Sequence, residues 1–221
     1  MIDFLKYFAP LSTDIERGYR SIIILITINE LASMDNDILK YINSYPWFWV
    51  ETLNTHESNV FINLGKIFDT DIKAQSIHFL KRWLMNNEDE LKEEMIKARK
   101  GPDIKKIDWN DYKKDIYIFS RKDFSDYEKK VSSLQKRYDL KLKDWRNKIF
   151  AHREHYENSE LKLESVQYDY IEQIYAELHG LYNDAFNAVY NGNCFSFAPS
   201  RLSNEKVIIQ QTTDVLKSNL R

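Results

Sequence analysis

Residues 123–152 read DFSDYEKKVSSLQKRYDLKLKDWRNKIFAH. Within them Tyr127, Val131, Leu134, Tyr138, Leu142, Trp145 and Ile149 recur at steps of three or four. On an α-helix those positions form one stripe, so the stretch predicts a long amphipathic helix from Asp123 to Phe150. A single apolar stripe needs other apolar faces to cover it, and the rest of the chain offers them.

Ser12-Thr13-Asp14 predicts the cap of a helix reaching Met34. Its run Ile22-Ile23-Ile24-Leu25-Ile26 is β-branched and strand-like by propensity. The charged flanks and the length of the whole segment favour a buried helix. Ser44-Tyr45-Pro46 predicts a second start, with Pro46 in the first turn. That helix would run through Trp49, Leu53, Phe61, Leu64 and Ile67 to Phe68. Thr70-Asp71 restarts the chain towards Ile77, Leu80, Trp83 and Leu84. Asn87 to Lys100 is charged and helical in propensity, with Gly101-Pro102 as a stop. Residues 101–122 read as a loop with short helical pieces. Ile171, Ile174, Leu178, Leu181, Ala185 and Val189 mark a further long helix ending at Asn191-Gly192. The tail adds a short helix around Asn204 to Leu216. Helices joined by short links predict an all-α antiparallel bundle. The expected organisation is one helical domain over residues 1–191 and a C-terminal element over residues 192–221 packed on it.

Composition agrees. With 221 residues the chain suits one domain with an added element. At 43% hydrophobic residues it can build a core, which argues against wholesale disorder. Five Gly and four Pro leave room for long helices. A net charge of −2 gives no general attraction to nucleic acid or an anionic membrane. The single Cys194 excludes an internal disulfide and fits a reducing interior; it reads as a half-buried loop thiol rather than a nucleophile. The first residues lack a basic stretch followed by an apolar one, and the isoleucine run is too short to span a bilayer. The expectation is a cytoplasmic protein without a membrane partner.

The end of the long helix carries the chemistry. Arg146, Asn147 and His152 place a permanent cation, an amide and an imidazole within about two turns. A guanidinium forks onto phosphate oxygens, and an imidazole can take and give a proton near neutral pH. Arg and His six apart are, by themselves, ordinary surface residues, and cations at a helix C-terminus suit the helix dipole. The longer string is more specific. Residues 145–153, WRNKIFAHR, resemble the signature of the HEPN superfamily, in which an Arg, usually followed by a polar residue, precedes a His by a short interval of variable length. Here five residues intervene and the polar residue is Asn147. Leu64-Gly65-Lys66-Ile67-Phe68-Asp69 and the element order resemble abortive-infection U-type HEPN proteins over most of residues 12–191.

The resemblance implies a homodimer whose active site forms where two signature helices meet. It also implies a ribonuclease toxin or an antiphage effector, with RNA as substrate and a cognate antitoxin or regulatory protein as a further partner. Arg146, His152 and Asn147 would be the catalytic residues, with Asp144, Lys148 and Arg153 supporting them or touching RNA. No metal and no cofactor would be needed. Some family members do not cleave, so a HEPN-fold binding protein for RNA, a nucleotide or a protein partner is the alternative. Some HEPN toxins carry a modifiable Tyr two positions after the His; here that position is Glu154. On one ideal helix Arg146 and His152 lie about 120° apart in rotation and about 9 Å along the axis. Two copies about a two-fold axis bring such patches together more readily. Asp144, Lys148 and His152 are spaced four apart and share a face.

Residues 121–155 hold eleven basic and six acidic side chains, an excess of five positive charges. Such a stripe suits an RNA backbone, and equally a solvated helix face. His56, His78, His155 and His179 show no ligand spacing; His78 and His179 read as packed or surface histidines. The sequence carries no phosphate-binding glycine loop and no serine-hydrolase elbow.

Overall fold

The computed structural model describes residues 4–100, 108–144 and 165–218. Among them the chain forms helices and no strand. In order these are α1 (Phe4–Met34), α2 (Asn36–Ser44), α3 (Pro46–Ile67), α4 (Ile77–Asn86), a 3-10 turn (Glu88–Leu91) and α5 (Glu93–Lys100). They continue with α6 (Trp109–Tyr112), a second 3-10 turn (Lys113–Asp115), α7 (Arg121–Lys141), α8 (Ser165–Asn191) and α9 (Glu205–Ser218). No helix among the described residues is long and apolar enough to cross a membrane.

The isoleucine run lies inside α1, with Ile22, Ile23, Leu25 and Ile28 buried. Alpha1 starts at Phe4, earlier than the Ser12-Thr13-Asp14 signal, and runs through Pro10. Phe4, Phe8, Leu11 and Ile15 are fully buried, and that burial outweighs a proline near the helix start. Alpha2 has no counterpart in the sequence reading. Asp35 caps it by accepting from the amides of Asp37 (2.9 Å) and Ile38 (3.3 Å). Alpha3 begins with Pro46 in its first turn, as expected. The restart at Thr70-Asp71 is displaced to Ile77. Asp69 accepts from Asp71 N (2.9 Å) and Asp71 from Lys73 N (2.8 Å), and these Asx turns hold the chain out of a helix.

The packing is mostly antiparallel. Alpha1 meets α3 with Asp14 against Lys66 (3.2 Å) and Ser21 against His56 (3.4 Å). It meets α8 with Phe4 beside Tyr182 and Phe186, and with Tyr19 stacked on Tyr175. The Tyr175 side chain of α8 fills the space over Gly18, where an added Cβ would lie 1.9 Å from the Tyr175 hydroxyl oxygen. Through that gap Tyr175 donates to Val60 O of α3 (2.7 Å), joining three helices. Alpha4 crosses α7 with His78 on Gln135 (2.7 Å) and Lys81 on Glu128 (2.9 Å).

Alpha8 ends at Asn191, with Gly192 at φ 69°. The middle of the chain covers that end. Arg99 donates to Val189 O (2.7 Å), the Tyr112 hydroxyl to Asn191 O (3.0 Å) and Tyr117 N to Gly192 O (2.8 Å). Donors and a cation at a helix C-terminus satisfy its last carbonyls and suit its dipole. The chain then doubles back along α8. Buried Asp184 accepts from Ser196 N (3.1 Å), Ser196 Oγ (2.8 Å) and Phe197 N (2.8 Å), and Ser200 N donates to Ala176 O (2.9 Å). Gly180 makes the path possible, because a Cβ there would meet Ala198 O at 2.1 Å. Alpha9 follows and lies against α1, with Ile208 and Leu216 buried.

Candidate functional site

The signature follows α7, and what holds α7 decides where the signature begins. Ser120 and Asp123 form a capping box at its start. Phe124, Tyr127, Val131, Leu134 and Tyr138 are buried along one face, and Leu142 just beyond is buried too. This is the expected stripe as far as the described residues reach.

The helix does not run unbroken to Phe150. Alpha7 ends at Lys141, and Leu142 forms a turn while its amide donates to Tyr138 O (2.8 Å). Burial of Leu142 keeps the periodicity of the stripe through the turn, so the pattern could not reveal the break. Lys143 and Asp144 are exposed, and Lys143 pairs with Asp139 (3.3 Å). Asp144 makes no hydrogen bond or ion pair among the described residues. Arg146, Asn147, Lys148, His152 and Arg153 lie outside the described residues, as do Trp145, Ile149 and His155.

Both flanks of residues 145–164 are described, and they are clamped together. Lys141 sits 4.5 Å above the Tyr170 ring and Arg137 sits 5.3 Å from it. The Tyr170 hydroxyl reaches Arg137 O (3.4 Å). Two turns further along α8, Glu177 is 6% exposed and accepts from Arg137 (2.6 Å) and Lys130 (2.9 Å). Deeper still, the buried Tyr127 hydroxyl donates to Leu181 O (3.0 Å). Alpha7 therefore enters the signature segment, and α8 leaves it, along one fixed antiparallel pair.

Burial pushes the Glu177 carboxyl up, but the hydrogen bonds and charges of Arg137 and Lys130 more than offset this and hold it below the usual carboxylate range. A carboxyl depressed in the folded state stabilises the fold above its unfolded pKa of about 4.3 and ceases to do so as pH falls through the lower folded value. Glu177→Gln is expected to cost about 2 kcal/mol at pH 7, less than a fully buried pair because both cations are partly solvated. The difference from the unaltered protein in urea unfolding should shrink below pH 4; a gap that stays constant to pH 3 would exclude this origin.

Five of the eight cations of the basic stripe among the described residues pair within the protein. Lys129 pairs with Asp126 (2.9 Å), Lys130 and Arg137 with Glu177, Lys143 with Asp139, and Lys141 with the Tyr170 ring. Arg121, Lys122 and Lys136 are the stripe's exposed cations without such a partner among the described residues. The solvated-face reading thus accounts for most of α7. Sequence reasoning missed Glu177 and Tyr170 as anchors. Their signal was an acid set in the apolar run Tyr175-Ala176-Glu177-Leu178, at the depth of two cations on the facing helix.

Three of the remaining histidines lie among the described residues, each against a neighbouring element. His78 packs on Gln135, and His179 Nδ1 lies 2.9 Å from Ser200 O. Burial lowers the pKa of His56, which lies against Ser21. Cys194 is exposed, where a half-buried thiol was expected; Phe195 beside it turns inward onto Phe119 (4.9 Å) and leaves the cysteine facing solvent. Among the described residues no group of three or more His, Cys, Asp or Glu side chains is arranged to hold a metal ion.

An all-helical chain, with paired long helices leading into and out of an Arg/His segment, calls for comparison with known families. The family model for AbiU2, a HEPN domain of the abortive-infection type, matches residues 15–212. The chain belongs to the AbiU2 HEPN family. The matched span takes in α1 from Ile15, the whole of residues 145–164 and α9 as far as Thr212. No curated protein and no solved structure matches the chain.

Proposed function

We propose that this AbiU2-family protein is a metal-independent endoribonuclease, a toxin or abortive-infection effector that cuts RNA. The observation that carries the reading is the stretch from Arg146 to His152 within the HEPN family match. The clamp of α7 on α8 supports it, since a catalytic segment works best when both of its ends are fixed.

RNA supplies its own nucleophile in the 2′-hydroxyl. His152 takes the proton as the 2′ oxygen attacks the adjacent phosphorus. The bond to the 5′ oxygen breaks as the bond to the 2′ oxygen forms, and the leaving oxygen takes a proton from solvent, so that one His152 serves each site. Arg146 stabilises charge on the phosphate oxygens, and Asn147 positions the phosphate or holds the imidazole. The products are a 2′,3′-cyclic phosphate and a free 5′-hydroxyl. Lys148 and Arg153 contact RNA, and Asp144, two turns before His152, supports the site from the same face. The partners are RNA, a second copy of the chain, and an antitoxin or regulatory protein.

Purified protein incubated with RNA in chelator should produce cyclic phosphate ends, and His152→Ala should abolish them while remaining folded. RNA left intact by both proteins, with binding retained, would replace this reading with that of a non-catalytic binding module.

A further inference from the structure

Apart from the main core, a small second cluster joins Ile28 of α1, Ile38 of α2, Trp49 of α3 and Leu216 of α9. Its outer side is bare. Tyr45, Trp47, Phe48 and Val50 pass through the corner between α2 and α3, and they are 57%, 83%, 62% and 48% exposed. The rings stand on a fixed floor. Phe48 meets the buried Trp49 ring edge-on at 5.2 Å, and Tyr45 meets Tyr41 at 5.4 Å. Tyr41 in turn lies 6.1 Å from Trp49. The three exposed rings leave about 300–500 Å² of aromatic surface in water, at about 150–250 Å² per ring. A patch of that size on one chain marks a contact site.

The charges around the patch say what fits it. Trp47, Val50 and Glu51 lie within one turn of α3 and share a face. Glu51 is exposed, and its carboxylate makes no hydrogen bond or ion pair among the described residues. From Asp35 to Glu51 the charged residues are Asp35, Asp37, Lys40 and Glu51, and Lys40 is paired with Asp37 (3.0 Å). Beside Leu216, at the end of α9, Asp214 and Lys217 offset each other. The apolar corner thus carries net negative charge. An indole face with a free carboxylate one turn away suits a guanidinium or an ammonium, through a cation–π contact and an ion pair.

We propose that the corner between α2 and α3 is a docking surface for a basic amphipathic helix of a partner protein. The apolar face of that helix covers Tyr45, Trp47 and Phe48, and one of its arginines or lysines meets Trp47 and Glu51. A helix laid on an apolar strip needs only a few anchors spaced by three or four residues, and this strip is of that extent. A second copy of the chain fits worse. It would bring the same carboxylates against these, and the two patches together offer roughly 600–1,000 Å², short of the 1,200–2,000 Å² of a stable pair. The same negative charge disfavours RNA and an anionic membrane. The inference rests on the exposed rings and Glu51, and it is independent of RNA cleavage.

Two synthetic helical peptides with the same leucine face, one flanked by arginines and the other by glutamates, test this by calorimetric titration of the full chain. The arginine peptide should bind saturably, and the glutamate peptide about tenfold more weakly or not at all. Trp47→Ala should weaken the arginine peptide by about tenfold or more while the unfolding midpoint stays put, since so exposed an indole adds little to the fold. Glu51→Lys should reverse the preference between the two peptides. No saturable binding of the arginine peptide, equal binding of both, or binding untouched by Trp47→Ala and Glu51→Lys would overturn the proposal. So would a dimer in sedimentation that Trp47→Ala dissolves, which assigns the corner to a second copy. Binding to phosphatidylglycerol vesicles that is lost in Trp47→Ala would overturn it in favour of a membrane. Neither Trp47 nor Glu51 is among the residues assigned to RNA cleavage, so loss of peptide binding and loss of nuclease activity are separate results.

Discussion

Gly18→Ala is expected to destabilise the fold by about 3 kcal/mol, or roughly 6–12 °C in Tm for a chain of this size. Alanine is the better helix former by about 1 kcal/mol, so propensity alone predicts the opposite sign. Contact geometry decides. The new Cβ would lie 1.9 Å from the Tyr175 hydroxyl oxygen and 2.3 Å from the ring carbon that bears it. Tyr175 cannot swing aside freely, because it is fully buried, stacked on Tyr19 and bonded to Val60 O. Burial, with the charges of Asp14 and Tyr138 behind it, pushes the Tyr175 hydroxyl pKa well up, so it stays protonated and donates. The donor is pushed off Val60 O, at about 1–3 kcal/mol, and α1 is forced away from α8, with an overpacking cost of about 1–3 kcal/mol. The two costs together exceed the propensity gain. Tyr175→Phe removes the atom in closest conflict, so the double variant should lose less than the two single losses added. Additive losses in urea unfolding, or a Gly18→Ala protein more stable than the original, would show that the helices are not in this contact.

The same contrast between pattern and contact explains what could be read from the chain. The α7 stripe was legible because Tyr127, Val131, Leu134 and Tyr138 all face one way and nothing interrupts their period. The buried isoleucines of α1 were legible through segment length. The true start of α1 was hidden by Pro10, a residue that usually marks a boundary, although Phe4 and Phe8 are fully buried before it. The turn at Leu142 was hidden for the opposite reason, since a buried leucine in phase looks like a helix that continues. Pairings such as Glu177 with Arg137 and Lys130 depend on which helices become neighbours, which no single helix encodes. For the candidate site, the residues were legible as a string from Arg146 to His152. A shared site for Arg146 and His152 was not, because six positions along one helix do not place two groups on a common face.

That last point leads to the largest expected effect on activity. Arg146→Ala should lower RNA cleavage by on the order of 10²–10³, the usual cost of losing one group that meets developing charge. Arg146→Lys should recover little, because an ammonium cannot fork across two phosphate oxygens. The loss should fall on kcat more than on KM if the guanidinium acts chiefly in the transition state, and on KM alone if it only holds RNA. Mixing variants then asks where the Arg and the His come from. Suppose each site takes Arg146 from one chain and His152 from its partner. A dimer of one Arg146→Ala chain and one His152→Ala chain has one site lacking both groups and one site with both intact. Random re-assortment of the two inactive proteins should therefore restore about a quarter of the original activity, since half of the dimers are mixed and half of their sites are whole. If Arg146 and His152 act within one chain, every site in every dimer lacks one of them, and mixing restores nothing. Recovery on mixing thus separates a site shared between copies from one contained in each, and any RNA cleaved by the proposed nuclease serves as the readout.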